Sequence, residues 1–152
     1  MDGVELGWLR RCVELAREAV AAGDFPFGSV LVGGDGRLLA EDRNREVSLA
    51  DATRHPEFDL ARWAAANLTA DERAAATVYT SNEHCPMCAA AHAWVGLGRI
   101  VYAMSSAQLS ELRAYPSPVR PLPIQQVAPG LPVDGPVPEL LDEVAALHRR
   151  AT

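Results

Sequence analysis

Cys85-Pro86-Met87-Cys88 constrains this chain more than any other stretch. The β-like run Thr77-Val78-Tyr79-Thr80 precedes it, and an Ala-rich segment from Ala89 to Trp94 that reads as a helix follows it. A Cys-x-x-Cys at a helix start aims two thiolates at one point, and the free N–H groups and positive dipole end of the helix help keep them ionised. Two thiolates are an incomplete metal site. The best third ligand is His55, in His55-Pro56-Glu57, 30 residues upstream of Cys85. That separation leaves room for one helix, a turn and a strand. Read alone, the cysteines serve equally well as a buried helix pair or a redox pair; the upstream His-Pro-Glu turns the reading toward a metal.

The 152 residues suit one domain spanning 1–152 with a core of its own. A net charge of −6 argues against wide contact with a phosphate backbone, which calls for clustered Lys and Arg, so no extended nucleic-acid partner is expected. No apolar run reaches the roughly 18 residues needed to span a membrane, and no membrane partner is expected. Met1-Asp2-Gly3-Val4-Glu5 lacks the basic start of a secretion signal. Three cysteines, with Cys12 isolated, make no disulfide framework, and a reducing cytoplasm is the simplest location.

Leu6, Leu9, Val13, Ala16 and Val20 recur at helical steps and predict an amphipathic first helix ending near Gly23, with Cys12 a small buried hydrophobe inside it. Residues 29–32 and 37–40 predict a hairpin around Gly33-Gly34-Asp35-Gly36. Those glycines are turn residues and no phosphate loop, because no helix and no Lys-Ser/Thr pair follow them. A polar, irregular stretch from Glu41 to Arg54 carries Asn44, and a helix is expected from about His55 to Asn67. Leu68 to Glu72 reads as a turn into the strand Thr77–Thr80, and Ile100-Val101-Tyr102-Ala103 as a further strand. Eight prolines between 116 and 138 predict a wrapped loop, with an edge strand at Ile124-Gln125-Gln126-Val127. A last helix carries Leu140, Leu141, Val144 and Leu147. Strands alternating with helices imply a three-layer α/β domain with a mostly parallel sheet, to which the hairpin adds an antiparallel pair.

One imidazole and two thiolates favour zinc, and three protein ligands leave a fourth position for water. A closed structural site would need one more ligand. His84 directly precedes Cys85 and is badly placed for it; His92, four residues past Cys88, is better placed. Glu57, two residues after the metal-binding His at a helix start, can lie beside the bound water and move its proton. A Glu in a first helical turn also complements the dipole, but that alone does not put it beside a ligand-like His.

These residues resemble the zinc-dependent cytidine deaminase superfamily, whose signature is H-x-E followed by P-C-x-x-C. Pro26-Phe27-Gly28 is similar to the family's Pro-[Phe/Ile/Val]-Gly before its first strand. Asp51 to Glu57 is similar to D-P-T-A-H-A-E, and Glu83 to Cys88 to E-P-C-P-M-C. The resemblance implies a three-layer α/β/α fold with a mixed five-stranded sheet. It implies His55, Cys85 and Cys88 as ligands of one zinc per chain and Glu57 as the proton shuttle. Within the guanine deaminase and tRNA adenosine deaminase branch, Asn44 falls on a base-binding Asn and Trp94 where guanine deaminases carry a Trp. Phe27 falls on the pocket wall, and Pro56, Glu83 and His84 flank the ligands as further substrate contacts. Asn44 can equally be a turn residue, and Phe27 and Trp94 plain core.

Two residues depart from the pattern. Pro56 replaces a small residue whose N–H commonly contacts the base, and Pro has no N–H. His84 replaces the Pro before the first Cys. Both suggest altered base recognition with the hydrolytic chemistry intact. The stretch Leu147 to Thr152 lacks the aromatic residue that some guanine deaminases add to the site. The resemblance therefore implies hydrolytic deamination of a small aminated heterocycle, guanine or a related nucleobase first, by a homodimer. Cytosine, cytidine or another nucleoside, tRNA adenosine, and a non-catalytic zinc-stabilised binding module stand as alternatives.

Overall fold

The helical spacing at the start of the chain is realised in α1 (Gly3–Ala21), capped by the Asp2 side chain, which accepts the Glu5 N–H at 2.8 Å. The computed structural model describes residues 1–113 and 116–151; Thr152, the end of the C-terminal stretch discussed above, lies outside them. After α1 come β1 (Gly28–Val32), β2 (Leu38–Arg43), α2 (Pro56–Asn67), α3 (Ala70–Ala75), β3 (Thr77–Asn82), α4 (Pro86–Trp94) and β4 (Ile100–Met104). Then follow α5 (Ser106–Leu112), the single turn α6 (Ile124–Val127), β5 (Val133–Asp134), a 3₁₀ turn (Pro138–Leu140) and α7 (Leu141–Ala151).

The strands form one five-stranded sheet in the order β2-β1-β3-β4-β5. Side chains alternate across it. Val30, Val32, Tyr79, Val101 and Ala103 share a core with Leu9, Cys12 and Val13 of α1 and with Val144 and Leu147 of α7. On the opposite face Leu31 and Val78 pack with Leu60, Ala61 and Ala64 of α2, while Ile100 and Tyr102 pack with Ala89 and Ile124. Because both faces are covered, β1 and β4 are buried along their whole length. Each fully buried aliphatic side chain contributes roughly 1.5–3 kcal/mol. The result is the expected three-layer arrangement around a mixed sheet. Gly28 is required where β1 begins: a Cβ there would sit 2.3 Å from the Cys12 carbonyl oxygen of α1.

Three expectations are corrected. The sheet is not mostly parallel, since β1 runs antiparallel to both β2 and β3, and only β3–β4 and β4–β5 are parallel. Residues 70–75 form a helix and not a turn, started by a capping box in which Thr69 and Glu72 each satisfy the other's backbone N–H. Ile124–Val127 is a helical turn and not an edge strand. Its Ile124 N–H donates to Glu83 Oε2 at 2.9 Å, so a tertiary contact decided a run too short for its own periodicity to decide. Among the described residues, no helix is long and apolar enough to cross a membrane.

Candidate metal centre

Two helix N-termini meet at one point. His55 is the N-cap of α2 and Cys85 the N-cap of α4, and each is followed by a proline, Pro56 and Pro86. Proline at that first helical position gives up an N–H that has no intrahelical partner, and its fixed φ suits the helix. This is the local reason why Pro56 can stand between His55 and Glu57. Cys88 lies in the first turn of α4 and is fully buried.

His55, Cys85 and Cys88 are the metal-competent cluster among the described residues. His55 Nδ1 is 3.5 Å from Cys85 Sγ and 3.6 Å from Cys88 Sγ, and the two sulfurs are 3.5 Å apart. A tetrahedral zinc with bonds of about 2.3 Å to sulfur and about 2.0–2.1 Å to nitrogen needs S···N near roughly 3.6 Å and S···S near roughly 3.8 Å. The three donors fit one zinc ion in both chemistry and spacing. His92 stays out of the cluster: its Nε2 lies 2.7 Å from the Gly98 carbonyl oxygen.

Glu57 is buried beside the cluster. Its Oε1 accepts from Ser29 Oγ at 3.1 Å, and Ser29 Oγ lies 2.8 Å from Thr80 Oγ1, so strands β1 and β3 hold the carboxylate in place. Burial pushes its pKa up to about 7 against the opposing charge of His55. The contact with Cys88 brings the Cys85 pKa down to about 4 despite burial, helped by His55. Burial drives Cys88 well above the ordinary thiol value, and Cys85 and Glu57 add to this. Burial lowers the pKa of His55, but Cys85, Glu57 and Glu46 outweigh it and raise it to about 9.

These values fix the sign of one pH dependence. Between about pH 4 and 9 the metal-free site holds one thiolate, on Cys85, while His55 and Cys88 keep protons that a metal must displace. Zinc affinity is therefore expected to rise with pH, less steeply once His55 has lost its proton near pH 9 while Cys88 still holds its own, with up to about two protons released per ion near pH 7. Calorimetric titration in buffers of differing ionisation enthalpy counts those protons; none released at pH 7 would show that the cluster does not take up the metal.

The other expected site residues are spread more widely. Asn44 is buried, with Nδ2 donating to Glu46 Oε2 at 2.5 Å and Oδ1 accepting the Glu46 N–H at 3.0 Å. Phe27 meets His148 of α7 edge-on, ring centroids 5.1 Å apart. Glu83 has both oxygens on backbone donors, Ser106 N–H and Ile124 N–H at 2.9 Å each, and so ties the cysteine loop to α5 and α6. His84 is fully buried with its ring edge-on to His92. Trp94 stands 88% exposed at the end of α4, away from the cluster within this chain.

The sequence reading missed Glu46, Asp24, Ser29 and His148. Asp24 is buried and accepts from the N–H groups of Val47 and Ser48, at 2.9 and 2.8 Å, and from the Ser48 hydroxyl. It thereby fastens the irregular loop that carries Asn44 and Glu46. A charged residue directly before Phe25-Pro26 was the only signal for it. His148 was visible as a His on the apolar side of the last helix, where burial brings its pKa down to about 4.

Residues 5–104 match the family described as "Cytidine and deoxycytidylate deaminase zinc-binding region". The guanine deaminase of Bacillus subtilis is 38% identical over 105 residues, which are 68% of this chain and 67% of that protein. The tRNA(Ile)-lysidine synthase of Deinococcus deserti is 37% identical over 98 residues, or 64% of this chain, but the match spans only 18% of that protein's length. The solved structure of guanine deaminase from Nitrosomonas europaea superposes with a TM-score of 0.75 at 25% identity, over 95% of this chain and 82% of that one. Relatives also include tRNA-specific adenosine deaminases and a probable cytosine deaminase.

Proposed function

Because this chain belongs to the zinc-dependent cytidine deaminase superfamily, we propose that it hydrolytically removes an exocyclic amino group from a small free nucleobase, guanine or a related 2-amino ring first, releasing ammonia. The observation that carries the reading is the buried Glu57 carboxylate held beside the His55, Cys85 and Cys88 donors. A zinc ion in that cluster supplies Lewis-acid activation of the attacking water. Glu57 would take one proton from the attacking water and hand it to the ring nitrogen, then take the remaining proton of the added hydroxyl and give it to the departing amine. Ser29 keeps the carboxylate aimed during both transfers. Asn44 and Glu46 together present a polar edge to the base, and Phe27 an apolar wall.

Three features support a free base. The net charge of −6 offers no field for a phosphate. Two of the similar proteins are guanine deaminases. A carboxylate beside Asn44 suits a ring that presents N–H donors. The reading includes one deaminase domain over 1–152, and a homodimer, for which the exposed Trp94 is a candidate contact. It also includes a reducing cytoplasm, in keeping with three free cysteines.

Ammonia release from guanine, isocytosine, cytosine, cytidine, adenosine and guanosine, measured under one set of conditions, tests the substrate. A site that pairs with one edge of a base rejects an analogue lacking that edge by on the order of 10⁴, so guanine or isocytosine should lead clearly. A nucleoside that outruns every free base would overturn the substrate while leaving the deamination chemistry standing.

A further inference from the structure

His55 turns Nδ1 toward the two sulfurs and Nε2 away from them. An imidazole that ligates through Nδ1 keeps its proton on Nε2, and that N–H needs an acceptor. The group facing it is Glu46 Oε2, at 3.6 Å. That separation places the carboxylate opposite Nε2, about 0.5 Å beyond hydrogen-bond distance.

Glu46 is itself held from three sides. Asn44 Nδ2 donates to the same Oε2 at 2.5 Å, and the Glu46 N–H donates to Asn44 Oδ1 at 3.0 Å, which closes a reciprocal pair. Immediately downstream, Val47 and Ser48 are pinned by buried Asp24. Upstream, the Arg45 N–H donates to the Arg54 carbonyl oxygen at 3.1 Å and closes the loop onto the residue before His55. A flexible surface glutamate would not be fastened in this way.

We propose that Glu46 is a positioning residue for the metal centre: its carboxylate faces the Nε2–H of His55 as the acceptor that keeps the proton on Nε2, fixes the tautomer and ring plane that give Nδ1 to the metal, and is in turn aimed by Asn44. The proposal rests on the zinc reading of the cluster. It gives Asn44 a second duty beyond the base edge, because one donor of its amide is committed to Glu46. Outer-shell carboxylates of this kind are worth about 10–100-fold in metal affinity.

The test is zinc affinity by chelator competition, with the thermal midpoint of each metal-free protein beside it. Glu46→Ala should bind zinc about 10–100-fold more weakly than the parent. Glu46→Gln keeps an acceptor oxygen and should fall between the two. Cobalt loaded in place of zinc should show altered visible bands in Glu46→Ala, because the His55 ring is no longer held. The midpoint of metal-free Glu46→Gln should match the parent's, because its amide oxygen still accepts from Asn44 Nδ2, so its loss of zinc affinity reports the bound ion. Affinities within about twofold of the parent for both variants, or a zinc loss in Glu46→Gln matched by destabilised metal-free protein, would overturn the proposal. Cys88→Ala separates this from failure of the zinc reading: if it takes up zinc like the parent, Cys88 is not a ligand and the three-donor reading on which this proposal rests fails. If only the Glu46 variants behave like the parent, the cluster stands and Glu46 has no part in it.

Discussion

Glu57→Gln is expected to lower kcat by on the order of 10³, within the 10²–10⁴ that a positioned general acid–base typically contributes, with zinc content and fold unchanged. The amide keeps the shape of the side chain and can still accept from Ser29 Oγ, the partner that now stands 3.1 Å from Glu57 Oε1. It cannot take up a proton and release it again. Among the described residues the other carboxylate at this centre, Glu46, faces His55 Nε2 and not the Nδ1 that meets the sulfurs, so it is not placed to take over this role. Steady-state ammonia release together with metal analysis of the same sample decides the matter. A variant that turns over at near the parental rate would falsify the role given to Glu57, whatever the substrate proves to be.

Cys88→Ala has the other large effect. Zinc content should fall from about one ion per chain to below about 0.1 after desalting, because two donors cannot hold an ion against water as three can. Cys88 is fully buried, and its thiol is the proton-bearing member of the sulfur pair. Removing one sulfur atom from the core should cost on the order of 1 kcal/mol by the transfer term alone, so the metal-free variant should remain folded. Zinc content equal to the parent's in a folded Cys88→Ala protein would remove Cys88 from the ligand set.

The gathering of His55, Cys85 and Cys88 beside Glu57 was legible in the sequence because each pair is local. His55 and Glu57 sit within one turn of α2, and Cys85 and Cys88 within one turn of α4, so spacing alone sets their relative placement. The hairpin of β1 and β2 was legible for the same reason. Residues whose roles depend on distant partners were not. Glu83 reads as part of a ligand motif, yet its oxygens are taken by backbone donors at 106 and 124, which nothing in its neighbourhood announces. The antiparallel run of β1 along β3 joins segments about 50 residues apart and has no local signature. The capping boxes of α3 and α5 were written in the sequence as Thr69-x-x-Glu72 and Ser105-x-x-Gln108, and short helices with such boxes are readable signals that periodicity passes over.

Asp24 has a consequence for the entropy of binding. The loop from Arg45 to Arg54 has little regular structure, and a ligand with only about ten heavy atoms gains little with which to order it, since each immobilised side chain costs about 0.5–1.5 kcal/mol. Here that ordering is done during folding: a buried carboxylate collects the Val47 and Ser48 N–H groups and the Ser48 hydroxyl before any base arrives. The loop that carries Asn44 and Glu46 is therefore already set when the ligand enters. Its configurational freedom is lost once per folding event and not once per turnover.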